Sequence, residues 1–305
     1  MTRRLGRRYV LLGAIGLAVG CGRPVTGGHR LTGPAEPVPP MADRIGSLEV
    51  KYDAMVGLYG VNLNDGRTIA HHDDRRFAVC STFKAYLAAR VLQLAQQGSV
   101  ALTDTEVIVP AALVSHSPLT EPKAGGSMSL AELCRAVIEH SDNTAANLLL
   151  RRIGGPAAIT AFARSIGDEE TRLDRWETEL NSALPGDPRD TTTPRAIGGG
   201  IAALLTGGVL DDTHRGQLDR WMRANQGTAR GVRAGLPPGW TTADKTGAGG
   251  FGSTNDVGIA YGPAGERILL SVMTRTRTDN PEAEWLQPLI AEVAALVLPG
   301  LVGSG

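Results

Sequence analysis

Strand signals stand at both ends of the chain and helical periodicity fills the middle, which limits the folds open to it. Near the start, "MVGLYGVN" (55–62), then Asn64-Asp65-Gly66, then "RTIAHH" (67–72) reads as a β-hairpin. Asn-Asp-Gly is a strong turn signal because these residues accept the left-handed backbone of a tight turn. Past Gly227, "WTTADKTG", "DVGIAYG" and "RILLSVMTRT" read as three more strands separated by glycine turns. The expected fold class is α/β plus all-α. The two terminal parts (41–78 and 225–300) form one antiparallel sheet flanked by helices, and an all-helical domain (79–224) is inserted between them.

The helical signals follow the same logic. Met41, Ile45, Leu48 and Tyr52 have helical spacing, as do Phe83, Leu87, Val91, Leu94 and Ala95 in a run that begins at Ser81 and stops at Gly98. Ser129 with Glu132 is a capping-box signature ahead of Leu133, Val137 and Ile138. "SDN" (141–143) interrupts, and a new helix runs from Thr144 to Ile153, stopped by Gly154-Gly155. Pro156 opens another that ends at Gly167, and helices are expected over 194–205 and 212–224. Asn280-Pro281 reads as the cap of a final helix through Leu286, Leu289, Ile290, Val293 and Leu296. Residues 168–193 show little periodicity, and so long an irregular stretch inside a compact fold is often functional.

Hydrophobic content of 42% and charged content of 20% mark a folding chain rather than a disordered one. A formal net charge of +0 removes any global pull toward nucleic acid or an anionic membrane. The cysteines, Cys21, Cys80 and Cys134, lack Cys-x-x-Cys spacing and a nearby histidine pair, so no zinc site, other metal or cofactor is expected.

"MTRRLGRRYVLLGAIGLAVGCG" has a basic head, an apolar stretch and small residues. The apolar stretch is too short to span a bilayer, which needs about 20 residues, and suits an export signal over 1–21. Arg7-Arg8 followed by apolar residues resembles a twin-arginine signal, with Arg3-Arg4 a competing pair. Cys21 after Ala18-Val19-Gly20 resembles a lipidation site. That makes either a lipid-anchored envelope protein or a freely secreted one the expected product. The Gly/Pro-rich residues 22–40 form a disordered tether.

Three short motifs carry the chemistry. Ser81 and Lys84 (Ser-x-x-Lys) share one face of a helix start, where the hydroxyl becomes a nucleophile only if a base takes its proton. On its own this pair describes a helix start with a surface lysine. Ser141-Asp142-Asn143 alone is a helix cap. Lys245-Thr246-Gly247 alone is a strand ending in a turn. In this order they form a joint pattern that resembles the class A serine β-lactamases and their penicillin-binding relatives, and the resemblance covers Met41 to Leu298. "RWETELN" (175–181) is similar to the Ω-loop motif of that family, which places the loop at about 174–190.

The resemblance implies a β-lactamase/transpeptidase-like fold, a monomer, and hydrolysis of small β-lactams through an acyl-enzyme, conferring resistance. It implies Ser81 as nucleophile, Lys84 as its amine and Ser141 as proton relay beside Lys245. Glu177 would be the base that activates water, and Asn181 would help hold that water. Asn143 and Thr246 would bind substrate, with Gly247 and Ala248 along the same strand. The N–H groups of Ser81 and Ala248 would form the oxyanion hole, and Arg175 would pair with Asp190 across the loop neck. Whether Lys84 or Glu177 takes the first proton stays open.

Departures are visible too. Thr254 stands where many members have the arginine that meets the substrate carboxylate. Arg230 or Arg233 could substitute, and Arg275 and Arg277 are weaker candidates. His116 falls where an aromatic gatekeeper often sits. Cys80 and Cys134 lack the partners some relatives have, because Gly249 and Ala88 occupy the matching positions. Two other readings remain at this stage: a D-Ala-D-Ala carboxypeptidase, that is a penicillin-binding protein that stays acylated, and a non-catalytic β-lactam sensor. Glu177 argues against the first. The retention of Ser81, Lys84, Ser141, Glu177 and Lys245 argues against the second.

Overall fold

A computed structural model describes residues 39–303; the export signal, Cys21 and all but the end of the tether lie outside the described residues. The chain begins with α1 (Met41–Tyr52), which a left-handed Asp53 turns directly into β1 (Ala54–Asn62). A tight loop returns it as β2 (Thr68–His71). The loop closes as its residues suggest. Asn64 N–H donates to Asn62 Oδ1 at 2.8 Å, Arg67 N–H donates to Asp65 Oδ1 at 2.9 Å, and Gly66 takes φ +82°. β3 (Phe77–Ala78) leads into a 3-10 turn (Cys80–Phe83) and α2 (Lys84–Gln96).

A small ladder of β4 (Thr105–Val107) and β5 (Ser127–Ser129) precedes α3 (Leu130–Glu139), α4 (Asn143–Ile153) and α5 (Pro156–Ser165). Both halves of the Ser129/Glu132 capping box are present. β6 (Thr191–Thr192) pairs with β3, α6 (Pro194–Thr206) and α7 (Asp212–Arg223) follow, and the chain re-enters the sheet as β7 (Thr241–Ala248), β8 (Thr254–Tyr261) and β9 (Arg267–Thr276) before α8 (Gln287–Val302).

The sheet has order β2-β1-β9-β8-β7 and every pairing is antiparallel. The early hairpin joins the late strands through β1 against β9, with Leu58 opposite Val272. Alternation along β9 splits the core into two layers. Ile268, Leu270 and Val272 pack with Ile45 of α1 and Leu289, Ile290, Val293 and Val297 of α8. Leu269 and Met273 face the opposite layer with Ile197 and Ile201 of α6, Phe83, and Leu87 of α2. Each such side chain contributes about 1.5–3 kcal/mol on burial.

Two expectations need correction. The run from Ser81 is not α-helical at its start. Cys80–Phe83 is a 3-10 turn in which Ser81 makes no side-chain cap bond, and the α-helix begins at Lys84. α2 is also buried nearly all round through Leu92 rather than on one stripe, as befits a helix at the centre of a core. The last helix starts at Gln287, not at Asn280. Asn280 Oδ1 instead accepts from Glu282 N–H at 3.0 Å, a local Asx turn that competes with helix initiation.

Candidate active site

Ser81 sits in the 3-10 turn where it meets the edge strand β7. The two backbones approach so closely that a Cβ on Gly247 would lie 3.0 Å from Ser81 N and 3.2 Å from Thr82 N. Any larger residue there would press on the backbone of the nucleophile turn. Cys80, the residue before the nucleophile, has φ +44°. Ser141 (+57°), His116 (+59°) and Asp190 (+54°) share this left-handed backbone. Such strain costs of order 1–3 kcal/mol per residue, and it persists where the surrounding structure over-determines it.

Lys84, one residue past that turn, is fully buried. Its Nζ donates to Ser141 O at 2.8 Å and Asn143 Oδ1 at 2.6 Å, and lies 3.4 Å from Ser141 Oγ. It also meets Glu177 Oε1 at 2.9 Å as an ion pair, although this contact lacks the alignment of a hydrogen bond. An unpaired ammonium would not survive there, since burying a charge without a partner is costly.

Ser141 lies between the two lysines, its Oγ 3.3 Å from Lys245 Nζ. Asp142 performs the cap function its type suggests. It is fully buried and accepts from Ala145 N–H (2.9 Å), Thr120 Oγ1 (2.8 Å), Leu119 N–H (2.9 Å) and Thr120 N–H (3.0 Å). This fixes the Ser141–Asn143 corner. Asn143 is held at both ends of its amide, accepting from Lys84 and donating to Ser115 O at 2.9 Å.

The irregular segment folds back through Asp190. Arg175 Nε donates to Asp190 Oδ2 at 2.5 Å, while Asp174 N–H and Arg175 N–H donate to Asp190 Oδ1 at 2.7 and 3.0 Å. Asp190 O in turn accepts from Val79 N–H at 2.8 Å, just ahead of the nucleophile turn. Asp190→Ala is expected to destabilise the protein by about 3–5 kcal/mol, because it removes the near counter-charge of a largely buried guanidinium, leaving it Ser182 Oγ at 2.9 Å and Asp187 at 4.0 Å, and orphans two backbone N–H groups. Thermal unfolding would read this as a Tm fall on the order of 10 °C.

The clamp presents Glu177. Its Oε2 accepts from Asn181 Nδ2 at 2.5 Å. Its backbone is gripped by Asn147, whose Oδ1 accepts from Glu177 N–H (3.0 Å) and whose Nδ2 donates to Glu177 O (2.9 Å). Asn147 was not singled out from the sequence. Its only signal is its place one helical turn after Asn143 on α4.

Lys245, fully buried on β7, also donates to Thr246 O at 3.0 Å. Burial, then the nearby Lys84 cation, lowers its pKa to about 7. Behind it lie two buried carboxylates that the sequence reading also missed. Asn225 Nδ2 donates to Asp244 Oδ1 at 2.7 Å and Val232 N–H to Asp256 Oδ2 at 2.9 Å. Thr228 Oγ1 sits 2.8 Å from Asp244 Oδ2 and 3.2 Å from Asp256 Oδ2. Burial raises Asp244, and burial with the Asp244 charge pushes Asp256 well above the usual carboxylate range.

Lys245 therefore changes charge near neutrality. If its cation attracts an anionic substrate, kcat/KM falls as pH rises through about 7. A pH–rate profile should show that limb, and Lys245→Arg should carry it far upward, because guanidinium keeps its charge. A limb unmoved in Lys245→Arg would assign it to another group.

These groups surround one cleft of about 660 Å³. Ser81, Ser141, Asn143, Asn181, Thr246, Gly247, Ala248 and Thr254 line it, with His116 at its edge. Trp285, in the irregular segment before α8, also lines it and is exposed. Among the described residues, no arginine lines it. Arg230 is exposed in the 3-10 turn Gly227–Arg230 and does not line the cleft. Arg233 instead reaches Thr242 Oγ1 and Arg223 O, and Arg275 donates to Thr276 O. Arg277 pairs with Glu49. Cys80 and Cys134 are buried and free; burial, with the nearby carboxylates, pushes the Cys80 thiol up to about 12.

Comparison with known proteins agrees with this geometry. A family model described as the beta-lactamase enzyme family matches residues 40–299. The chain is 42% identical to beta-lactamase FAR-1 of Nocardia farcinica over 84% of this chain and 81% of that protein. It is 40% identical to the carbapenem-hydrolyzing beta-lactamase KPC of Klebsiella oxytoca over 87% and 90%. Among solved structures, the beta-lactamase of Desulfarculus baarsii superposes with TM-score 0.84 at 45% identity, covering 87% of this chain and 98% of that one. An ancestral class A beta-lactamase gives 0.81 at 46%, covering 86% and 100%. A nucleophile turn, two buried lysines and a clamped glutamate thus stand in a chain that belongs to the β-lactamase enzyme family, as a class A serine enzyme.

Proposed function

We propose that the protein hydrolyses β-lactam antibiotics in two steps through an acyl-enzyme on Ser81. Ser81 Oγ attacks the lactam carbonyl. Its proton leaves toward Lys84 or, through a water, toward Glu177. The two groups stand 2.9 Å apart, so a proton taken by one lies within reach of the other. The Ser81 and Ala248 N–H groups receive the oxyanion. Ser141, between the two lysines, passes a proton to the leaving nitrogen. Thr246 meets the substrate carboxylate while Lys245, buried behind it, holds positive charge nearby; Gly247 gives close access along β7 and Asn143 faces the substrate amide.

Glu177 then draws a proton from water held with Asn181, that water attacks the ester carbonyl, and as the acyl C–O bond breaks the proton passes from Glu177 back to Ser81 Oγ. The observation that carries this reading is a buried Glu177, fixed by Asn147, Asn181 and Lys84, beside the acylation machinery. An enzyme that merely becomes acylated has no use for a base and an amide that together hold a hydrolytic water. A chromogenic cephalosporin tests it. Sustained turnover of many equivalents is expected, and a single burst equal to the enzyme concentration would favour a penicillin-binding protein.

The reading extends to export by the twin-arginine route, lipidation of Cys21 and a monomeric envelope enzyme that confers resistance. Cys21→Ser should move activity from the membrane fraction to the medium. An unchanged distribution would mean free secretion.

A further inference from the structure

Outside the cleft, α1 and the β1–β2 hairpin gather three metal-ligating side chains. Glu49, in the last turns of α1, is buried; His71 ends β2 and His72 follows it. Glu49 Oε1 lies 3.6 Å from His71 Nε2 and 3.7 Å from His72 Nδ1. All three donor atoms fall within 4.8 Å of one another. Consecutive strand residues normally point to opposite faces. Here His72 leaves the strand with φ +46°, and the two rings end 4.1 Å apart.

We propose that Glu49, His71 and His72 form a binding site for a divalent transition metal, with Zn2+ the best match. Zinc bonds of about 2.0–2.1 Å in tetrahedral geometry set neighbouring ligand atoms about 3.4 Å apart. Two of the three edges are already within a few tenths of an ångström of that spacing. Two imidazoles and one carboxylate suit zinc, whereas Ca2+ and Mg2+ demand oxygen ligands.

The surroundings are built for the purpose. His71 Nε2 is buried and has no hydrogen-bond partner among the described residues, a nitrogen whose lone pair is free for a metal. Glu49 is oriented by groups that leave Oε1 facing the rings: Val56 N–H donates to Oε1 at 2.7 Å, and Arg277 Nη2 lies 3.3 Å from Oε2. Such outer contacts are what hold ligands in register. His72 Nδ1 lies 3.2 Å from Val56 O. To bind metal the ring gives up that contact and carries its proton on Nε2. The side chain of His72 is 43% exposed, which leaves a path from solvent and a fourth position for water. Cysteine spacing carries no sign of this trio, because Glu49 joins the histidines only on folding.

β2 and β7 are opposite edges of the sheet, about 19 Å apart at strand spacing. The metal therefore ties α1 to the hairpin and acts on stability, not on hydrolysis. The test uses the full-length protein stripped with a chelator and dialysed, then titrated with ZnCl2. Calorimetry should show one Zn2+ per chain, Tm should rise with Zn2+ and not with equal Mg2+, and kcat should stay unchanged. Co2+ should give the visible bands of a tetrahedral site. His71→Ala and His72→Ala should each weaken Zn2+ binding at least tenfold. His72→Ala changes an exposed residue and keeps the test valid if His71→Ala folds poorly. No stoichiometric uptake, or uptake of equal affinity in His72→Ala, would overturn the proposal and leave the trio a plain His–Glu contact.

Discussion

Ser81→Ala is expected to lower kcat/KM for a penicillin by at least about 10⁴-fold while leaving the fold intact. The cleft, both lysines and Glu177 stay in place, so residual rate reflects only binding and the oxyanion site. Ser81 makes no cap bond in its turn, and the substitution removes only a hydroxyl, so Tm should move little. Steady-state kinetics with a melting curve separate the two effects. Wild-type turnover in Ser81→Ala would mean that another group carries the reaction.

Glu177→Ala should act on the other half of the cycle. Removing a positioned base costs typically 10²–10⁴-fold in the step it serves. With Lys84 and Ser81 retained, acylation should stay measurable while deacylation slows. KM should then fall together with kcat, because the acyl-enzyme accumulates. If deacylation keeps its speed, the base assignment is wrong. The same substitution leaves Lys84 buried with only neutral acceptors, so a loss of stability should accompany the kinetic effect.

Local chemistry explains which parts of the fold were legible. The Asn-Asp-Gly turn and the glycine stops rest on single residues' backbone preferences and the Ser129/Glu132 box on bonds three residues apart, and each is where the motif placed it. The start of α8 was misjudged because Asn280 satisfies its turn within two residues, a local solution that looks like a helix cap in sequence. The 3-10 turn at Cys80–Phe83 was hidden because four residues cannot distinguish its period from that of an α-helix.

The site divides along the same line. Ser81, Lys84, Ser141, Glu177 and Lys245 were named through motifs, and folding brings Lys84, Ser141, Glu177 and Lys245 into one chain of contacts beside the Ser81 turn. Asn147, Asp244 and Asp256 escaped because a lone polar residue in a helix or strand carries no periodic signal. Their roles depend on what tertiary packing sets opposite them. Arg230 was named as a cation in the right segment; its side chain is exposed and outside the cleft lining, while Gly227 and Gly231 on either side of it do line the cleft.

In the proposed cycle one serine carries the acyl group and one glutamate releases it. Mass spectrometry of Glu177→Ala after brief exposure to benzylpenicillin separates the two roles. The expected result is an intact mass increased by one penicilloyl group, mapped to the peptide containing Ser81 and absent from the Ser81→Ala/Glu177→Ala double variant. An unmodified Glu177→Ala protein that continues to hydrolyse the drug, or an adduct on a different residue, would contradict it.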